Sequence, residues 1–494
     1  MSDYIATTSL GKIRGFEEDG MIRYLGIPYA EAPVGPLRLK RAVPKTPWEG
    51  IFDAKEYGNA PIQYNQGMVM GDEDCLTLNI LTPPGADHLP VFLWIYGGGY
   101  NTGYSSDEMY RGEAFVKDGV IYASFNYRTN IMGFYDFTTY PGCEEMDSNC
   151  GLSDQILALN WIHDNIEAFG GDPDRITIGG ESAGGASVVN MLACPGVKGT
   201  FSQAIIESGL PNCMMTHETA RENIDLFLEG MHRTEKDLPK LLKEDPRLLL
   251  FGHEYVTAKH QYKNPGMFLP GPVQDDLMPV RPLDAIRNGS AEGVRVIIGT
   301  NKHEGTMFVH PENTGFPNNW TMITEMLEKN GHGDALPQII NYYHPQTSTV
   351  EGDPFIRFST DYAFEMPSIK VAEYQKKHTP DVWMYRFDLV TKNCKDSGWL
   401  ASHAIELPSV FAVRNHPFAG FVYDGEPDEV FEEMVRQTHG DWISFIKTGE
   451  PNPDWPRFEG ANSPIRIYDR ETRTEQLDRT ALMEAWGDLD FYEK

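Results

Sequence analysis

Gly180-Glu181-Ser182-Ala183-Gly184 lies between a β-branched run, Ile176-Thr177-Ile178-Gly179, and a stretch that reads as helix, Gly185-Ala186-Ser187-Val188-Val189-Asn190-Met191-Leu192-Ala193. A serine in G-x-S-x-G at a strand-to-helix turn has a physical meaning. The turn is so tight that a Cβ on its neighbours would clash, so glycine stands there. The serine is held in a strained backbone conformation, with Oγ raised above the sheet beside a helix N-terminus. Outside that setting the pattern says little, because glycine and serine are common and the turn could carry an incidental serine. Between a strand and a helix it marks Ser182 as a nucleophile.

Acyl transfer at a serine needs further parts. A tetrahedral oxyanion needs preorganised backbone N–H donors, which glycine allows by letting backbone approach substrate. Val91-Phe92-Leu93-Trp94-Ile95-Tyr96 reads as a buried parallel strand and runs directly into Gly97-Gly98-Gly99. A base should follow the serine, with its acid between them in sequence. The strand-like Val294-Arg295-Val296-Ile297-Ile298-Gly299 ends in Thr300-Asn301-Lys302-His303-Glu304-Gly305. Glu304 therefore falls just past a strand's C-terminal end, where open α/β sheets keep their chemistry. Asp275, Asp276 and Asp388 are rival carboxylates. His403 is one of 14 histidines, and it follows the last long β-type run, Val382-Trp383-Met384-Tyr385-Arg386-Phe387.

The wider pattern suits this reading. Residues 4–27 hold short β-type runs broken by Gly11, Gly15 and Gly20, as an antiparallel edge would. From 91 to 210, β-rich runs at 91–96, 120–125, 176–178 and 204–206 alternate with helical stretches, which argues a parallel sheet. Leu152, Ile156, Leu159, Ile162, Ile166 and Phe169 form one apolar helix face, stopped by Gly170-Gly171. Segments 217–260 and 306–380 interrupt the alternation and are expected to be helical insertions forming a lid or gorge wall. Length alone would suggest about three domains. Catalytic parts at 98, 182, 304 and 403 must converge, however, so 1–494 reads as a single unit.

Taken together, the motifs resemble the type-B carboxylesterase/cholinesterase family of serine hydrolases, in its microbial, para-nitrobenzyl-esterase-like branch. The matching stretches include Leu25-Gly26-Ile27-Pro28-Tyr29-Ala30, Glu73-Asp74-Cys75-Leu76, Asn126-Tyr127-Arg128, Asp154-Gln155, the Ser182 pentapeptide, Glu207-Ser208-Gly209 and the region from His403 to Phe411. The resemblance implies an α/β-hydrolase fold: a central, mostly parallel β-sheet flanked by helices, with helical lid insertions. It implies a carboxylic-ester hydrolase working through an acyl-serine intermediate, with Ser182 as nucleophile, Glu304 as acid and His403 as base. The backbone N–H groups of Gly98, Gly99 and Ala183 would form the oxyanion hole. Glu181, beside the nucleophile, would assist electrostatically or make a buried hydrogen bond. Ser208 is expected to pack near the elbow, and Arg38 and Glu73 to form a structural ion pair. No cofactor is implied. Two alternatives are a non-catalytic binding module, since some members have lost the nucleophile, and hydrolysis of amides, carbamates or lactones.

Departures from the family pattern are informative. Secreted members bridge the cysteine of the E-D-C-L motif to one upstream, but no cysteine precedes Cys75 and the matching position holds Ala60. Cholinesterases hold a quaternary ammonium on a tryptophan in that loop. Here Tyr64 is present without a tryptophan, which argues against a choline-ester specialist.

The formal charge of −30, with no long basic run, disfavours nucleic acid and anionic membranes as partners, and the partner that the resemblance implies is a small-molecule ester. Six cysteines in this length are not a disulfide framework, and unpaired thiols are expected even for Cys143 and Cys150. Neither zinc-ligand spacing nor H-E-x-x-H occurs, so no metal is expected. The N-terminus lacks a basic and apolar leader and no run approaches 18 apolar residues, so a cytoplasmic protein is expected.

Overall fold

Leu89-Pro90-Val91-Phe92-Leu93-Trp94-Ile95 forms a strand in which every residue after the first is buried, and it lies in the middle of a 13-stranded sheet. A strand with helices over both faces has no solvent side, so its sequence is continuously apolar rather than alternating. The computed structural model describes residues 4–65, 67–263, 270–309, 316–344, 349–487 and 489–492.

The strands are β1 (Tyr4–Thr8), β2 (Gly11–Glu18), β3 (Met21–Pro28), β4 (Ile51–Asp53), β5 (Gln63–Asn65), β6 (Met68–Met70), β7 (Thr77–Thr82), β8 (Leu89–Ile95), β9 (Ile121–Phe125), β10 (Gly171–Glu181), β11 (Gln203–Glu207), β12 (Arg295–Asn301), β13 (Val382–Phe387), β14 (Pro464–Tyr468) and β15 (Arg473–Gln476). The main sheet runs β1-β2-β3-β7-β9-β8-β10-β11-β12-β13-β14-β15, with β4 beside β2 and β5-β6 apart as a hairpin. From β9 to β14 every neighbouring pair is parallel. The pairs at both ends are antiparallel. The expected antiparallel edge is β1–β3.

Helices cover the parallel part. Helix α1 (Cys150–Asn165) carries the apolar face read from sequence: Leu152, Leu159 and Ile162 are buried. A 3₁₀ turn, Ile166–Phe169, prolongs it to Gly170, whose φ of 86° ends the helix in the left-handed region. Helix α2 (Ala183–Ala193) follows β10 and is buried along its whole length. Segment 217–260 holds α3 (His217–Gly230) and most of α4 (Pro246–Lys263), while 306–380 holds α5 (Trp320–Lys329) and α6 (Met366–Gln375). Among the described residues neither segment contains a strand. Helix α7 (Asp428–Thr448) packs Trp442 and Phe445 against Tyr385 and Trp383 of β13.

Arg38 ties segment 217–260 to the loop that carries Glu73. Its Nε and Nη2 bind the two Glu73 oxygens at 2.5 and 2.6 Å, and Nη1 donates to the carbonyls of Leu242 and Glu244. Cys75, Cys143 and Cys150 are buried free thiols.

Candidate active site

The β10–α2 turn is built by close backbone approach. Ser182 has φ 57° and ψ −123°, a conformation that a side-chain-bearing residue adopts only when its surroundings impose it. Those surroundings are bare backbone. A Cβ on Gly180 would meet Gly184 at 2.5 Å, and one on Gly185 would meet the Glu207 carbonyl oxygen at 2.7 Å. The Ser182 N–H donates to that same carbonyl at 2.9 Å, so the end of β11 grips the turn.

Gly97, Gly98 and Gly99 leave β8 alongside. A Cβ on Gly97 would lie 3.1 Å from that of Ser182. Gly98 takes φ 114° and Gly99 φ 61°. The Gly98 carbonyl accepts from the N–H groups of Asn101 and Thr102 at 3.0 and 3.1 Å, which fixes the loop. Ala183 is the first residue of α2, where backbone N–H groups have no partner inside the helix.

Glu304 opens a 3₁₀ turn immediately after β12 and is fully buried. Oε1 accepts from the Asn301 N–H at 2.7 Å and from the Ser208 hydroxyl at 2.5 Å, and Oε2 lies 2.6 Å from His403 Nδ1. Ser208 thus touches the acid rather than merely filling space near the turn. The His403 ring packs against both Phe308 and Phe364, at centroid distances of 5.1 and 4.9 Å, and those two rings also stack on each other at 5.8 Å. Phe364 comes from a single π-helical turn, Asp361–Glu365. His403 Nε2 is buried and forms no hydrogen bond, and Glu181 Oε1 stands 3.0 Å from it. That edge of the imidazole therefore faces the residue preceding Ser182.

Three hydrogen bonds lock the His403 loop to the Glu304 turn and the end of β12. The His303 N–H donates to the Ala401 carbonyl at 2.8 Å, and the Ala401 N–H donates to His303 Nδ1 at 3.3 Å. Asn301 Nδ2 donates to the Ser402 carbonyl at 2.8 Å. Burial, helped by Lys302 and Arg386, holds His303 down at about 3, so it stays neutral and keeps this bond. The rival carboxylates are engaged elsewhere: Asp275 and Asp276 bind Arg41, and Asp388 binds Arg386.

The electrostatics are those of crowded acids. Burial opposes a charged His403, but Glu181, Glu304 and Glu406 outweigh it and push the imidazole above its ordinary range. Burial and then Glu304 push the Glu181 carboxyl up, with His403 acting in the opposite sense. Glu406 and Glu207, also fully buried, belong to the same cluster. Their involvement was not legible, because a glutamate three residues past a histidine looks like any surface glutamate. Among the described residues no group of three or more His, Cys, Asp or Glu could hold a metal ion. No described helix is long and apolar enough to cross a membrane.

A parallel sheet with helices on both faces and a serine at the β10–α2 turn defines an α/β hydrolase. The chain matches the carboxylesterase family model over residues 2–486 and belongs to that family. It is 33% identical over 487 residues to the para-nitrobenzyl esterase of Bacillus subtilis (strain 168), covering 96% of each chain. It is 31% identical over 547 residues to the cholinesterase of Mus musculus, covering 99% of this chain and 89% of that one. A solved PNB esterase superposes with a TM-score of 0.85 at 32% identity, covering 98% of this chain and 100% of the other. The protein is a carboxylic-ester hydrolase acting on small esters.

Proposed function

We propose that the ester is cleaved through an acyl-Ser182 intermediate with His403 as base and Glu304 as its acid. The observation that carries this is the His403 ring itself: Nδ1 is held by Glu304 at 2.6 Å, while Nε2 lies 3.0 Å from Oε1 of Glu181, the residue before Ser182. An imidazole whose Nδ1 is fixed by a carboxylate and whose Nε2 is directed at the Ser182 turn is built to move a proton. Ser182 Oγ attacks the ester carbonyl carbon while its proton passes to His403 Nε2. The carbonyl oxygen becomes an oxyanion, received by the N–H groups of Gly98, Gly99 and Ala183. Collapse breaks the ester C–O bond, and the alcohol leaves with the proton from His403. Water, deprotonated by His403, then attacks the acyl group, and Ser182 is restored as the acid departs. Glu304 keeps the proton on Nδ1 and stabilises the imidazolium, and Glu181 adds negative charge beside Nε2. We also read 1–494 as one catalytic unit whose segments 217–260 and 306–380 wall the approach to Ser182. Phe308 and Phe364, both from the second segment and packed on His403, support that reading.

The test is Ser182→Ala with a panel of p-nitrophenyl esters. Turnover should fall by up to roughly 10⁶ in kcat with the melting temperature kept. A fluorophosphonate probe should label Ser182 in the wild type. Labelling at another serine, or wild-type turnover in the variant, would remove Ser182 from the mechanism.

A further inference from the structure

Glu207, the last residue of β11, has no role in the steps above, yet it touches the elbow. Its carbonyl accepts the Ser182 N–H at 2.9 Å. Its side chain is fully buried: Oε1 accepts from the Trp442 indole of α7 at 2.8 Å, and Oε2 has no partner. The same defect recurs around it. Glu406 accepts from Asn301 Nδ2 through Oε2 at 2.5 Å and leaves Oε1 unpartnered. Glu181 Oε1 makes no hydrogen bond, and the buried Tyr385 hydroxyl of β13 has none either. The titratable groups acting on this space are Glu181 from β10, Glu304 from the turn after β12, Tyr385 from β13, and Glu406 and His403 from the segment after β13.

Ionised carboxylates can only accept hydrogen bonds, so several of them cannot satisfy one another. Like charges crowded in a buried site do not all ionise. A proton on one carboxyl solves both problems, because it removes a charge and creates a donor. We propose that Glu207 is a positioning residue that stays protonated at neutral pH, holding the elbow through its carbonyl and supplying an O–H at Oε2 to a buried space otherwise rich in acceptors. Burial, Glu406 and Glu181 all push its carboxyl upward, against the Trp442 hydrogen bond. One negative charge fewer then bears on His403, which must be neutral to take the Ser182 proton. This consequence rests on His403 as the base; the proton on Glu207 does not.

The test uses Glu207→Gln and Glu207→Leu in the full-length enzyme. Glutamine keeps an acceptor for Trp442 and supplies an N–H in place of the O–H, so kcat should stay within about threefold of wild type. The acid limb of the pH profile should hardly move. Leucine supplies neither, and kcat should fall roughly 10- to 100-fold. Infrared difference spectra at neutral pH should show a protonated-carboxyl carbonyl band in the wild type that Glu207→Gln lacks. That band reports the proton whether or not His403 is the base, and it decides the matter even should the leucine variant fail to fold. Absence of the band, or a downward move of the acid limb by about one unit in Glu207→Gln, as a lost negative charge would cause, overturns the protonated state. A leucine variant with wild-type kcat overturns the positioning role.

Discussion

Glu365 and Glu406 are both buried glutamates near the catalytic machinery, and the fold treats them in opposite ways. Glu365 is compensated: Thr300 Oγ1 donates to it at 2.9 Å and Arg479 Nε at 2.7 Å, with Arg479 Nη2 in ion-pair distance at 2.6 Å. Burial opposes its charge, but Arg479 and Arg386 win and hold the carboxyl below its ordinary range. Glu406 has one side-chain donor, Asn301, and its charged neighbours include Glu181 and Glu304. Burial and those two acids push it up to about 8. Where a charge has a structural task it is compensated. Where protons must move, acids are crowded so that protonation states lie close in energy.

The comparison can be broken most sharply at Glu304. Glu304→Gln removes the negative charge on Nδ1 and the tautomer it enforces, so kcat should fall by roughly 10⁴. As the proposed base, His403 must be neutral, and it is pushed above the ordinary imidazole value, so the wild-type acid limb should lie above about 6.5. In Glu304→Gln the residual limb should move to lower pH. If Asp275→Asn, Asp276→Asn or Asp388→Asn abolishes activity while Glu304→Gln retains it, the acid has been misplaced.

On the compensated side, Arg479→Met leaves Glu365 buried without its main partner. Denaturant unfolding should report a loss of roughly 3–5 kcal/mol, typical of a broken buried pair. A loss under about 1 kcal/mol would put this pair with the weak surface ones.

Glu406 should show a smaller effect of opposite character. Its folded pKa is raised, so its contribution to stability is complete below the unfolded value of 4.5 and is lost as pH rises through about 8. Glu406→Gln has no such loss, and its melting temperature relative to wild type should climb steadily across that window. A flat difference would show that Glu406 does not titrate there. The smallest expected effect is that of dithiothreitol. Cys75 is free and buried, so activity and melting temperature should stay put, and a fall in either would reveal a disulfide.

The parts of the molecule legible in the sequence were those written in local pattern. The apolar run of β8, the glycines after it, the Ser182 pentapeptide and the helix face of α1 each occupy one short window, where periodicity and glycine placement carry structural meaning. Glu304 could be singled out because it sits just past a strand, and it is the carboxylate that meets His403. The acid cluster could not. Glu207 meets Trp442 from 235 residues away, Glu406 meets Asn301 across 105, and Ala401 meets His303 across 98. Nothing local marks a glutamate as buried, because its burial is decided by which distant donor arrives. The contact of Phe308 and Phe364 with His403 was hidden for the same reason, because nothing local tells which aromatic residue of a helical segment reaches that histidine.

The crowding of backbone at the Ser182 turn also shapes how this chain can drift. Replacing Gly180, Gly184 or Gly185 by any other residue drives a carbon into main-chain atoms less than 3.0 Å away, with no flexible side chain to yield. Those codons admit a single amino acid irrespective of substrate. A mutagenesis library aimed at new ester preferences should therefore spend no diversity there. Its useful variation lies at positions such as Phe308 and Phe364, in a segment proposed to wall the approach to Ser182, where the neighbours are side chains that can yield.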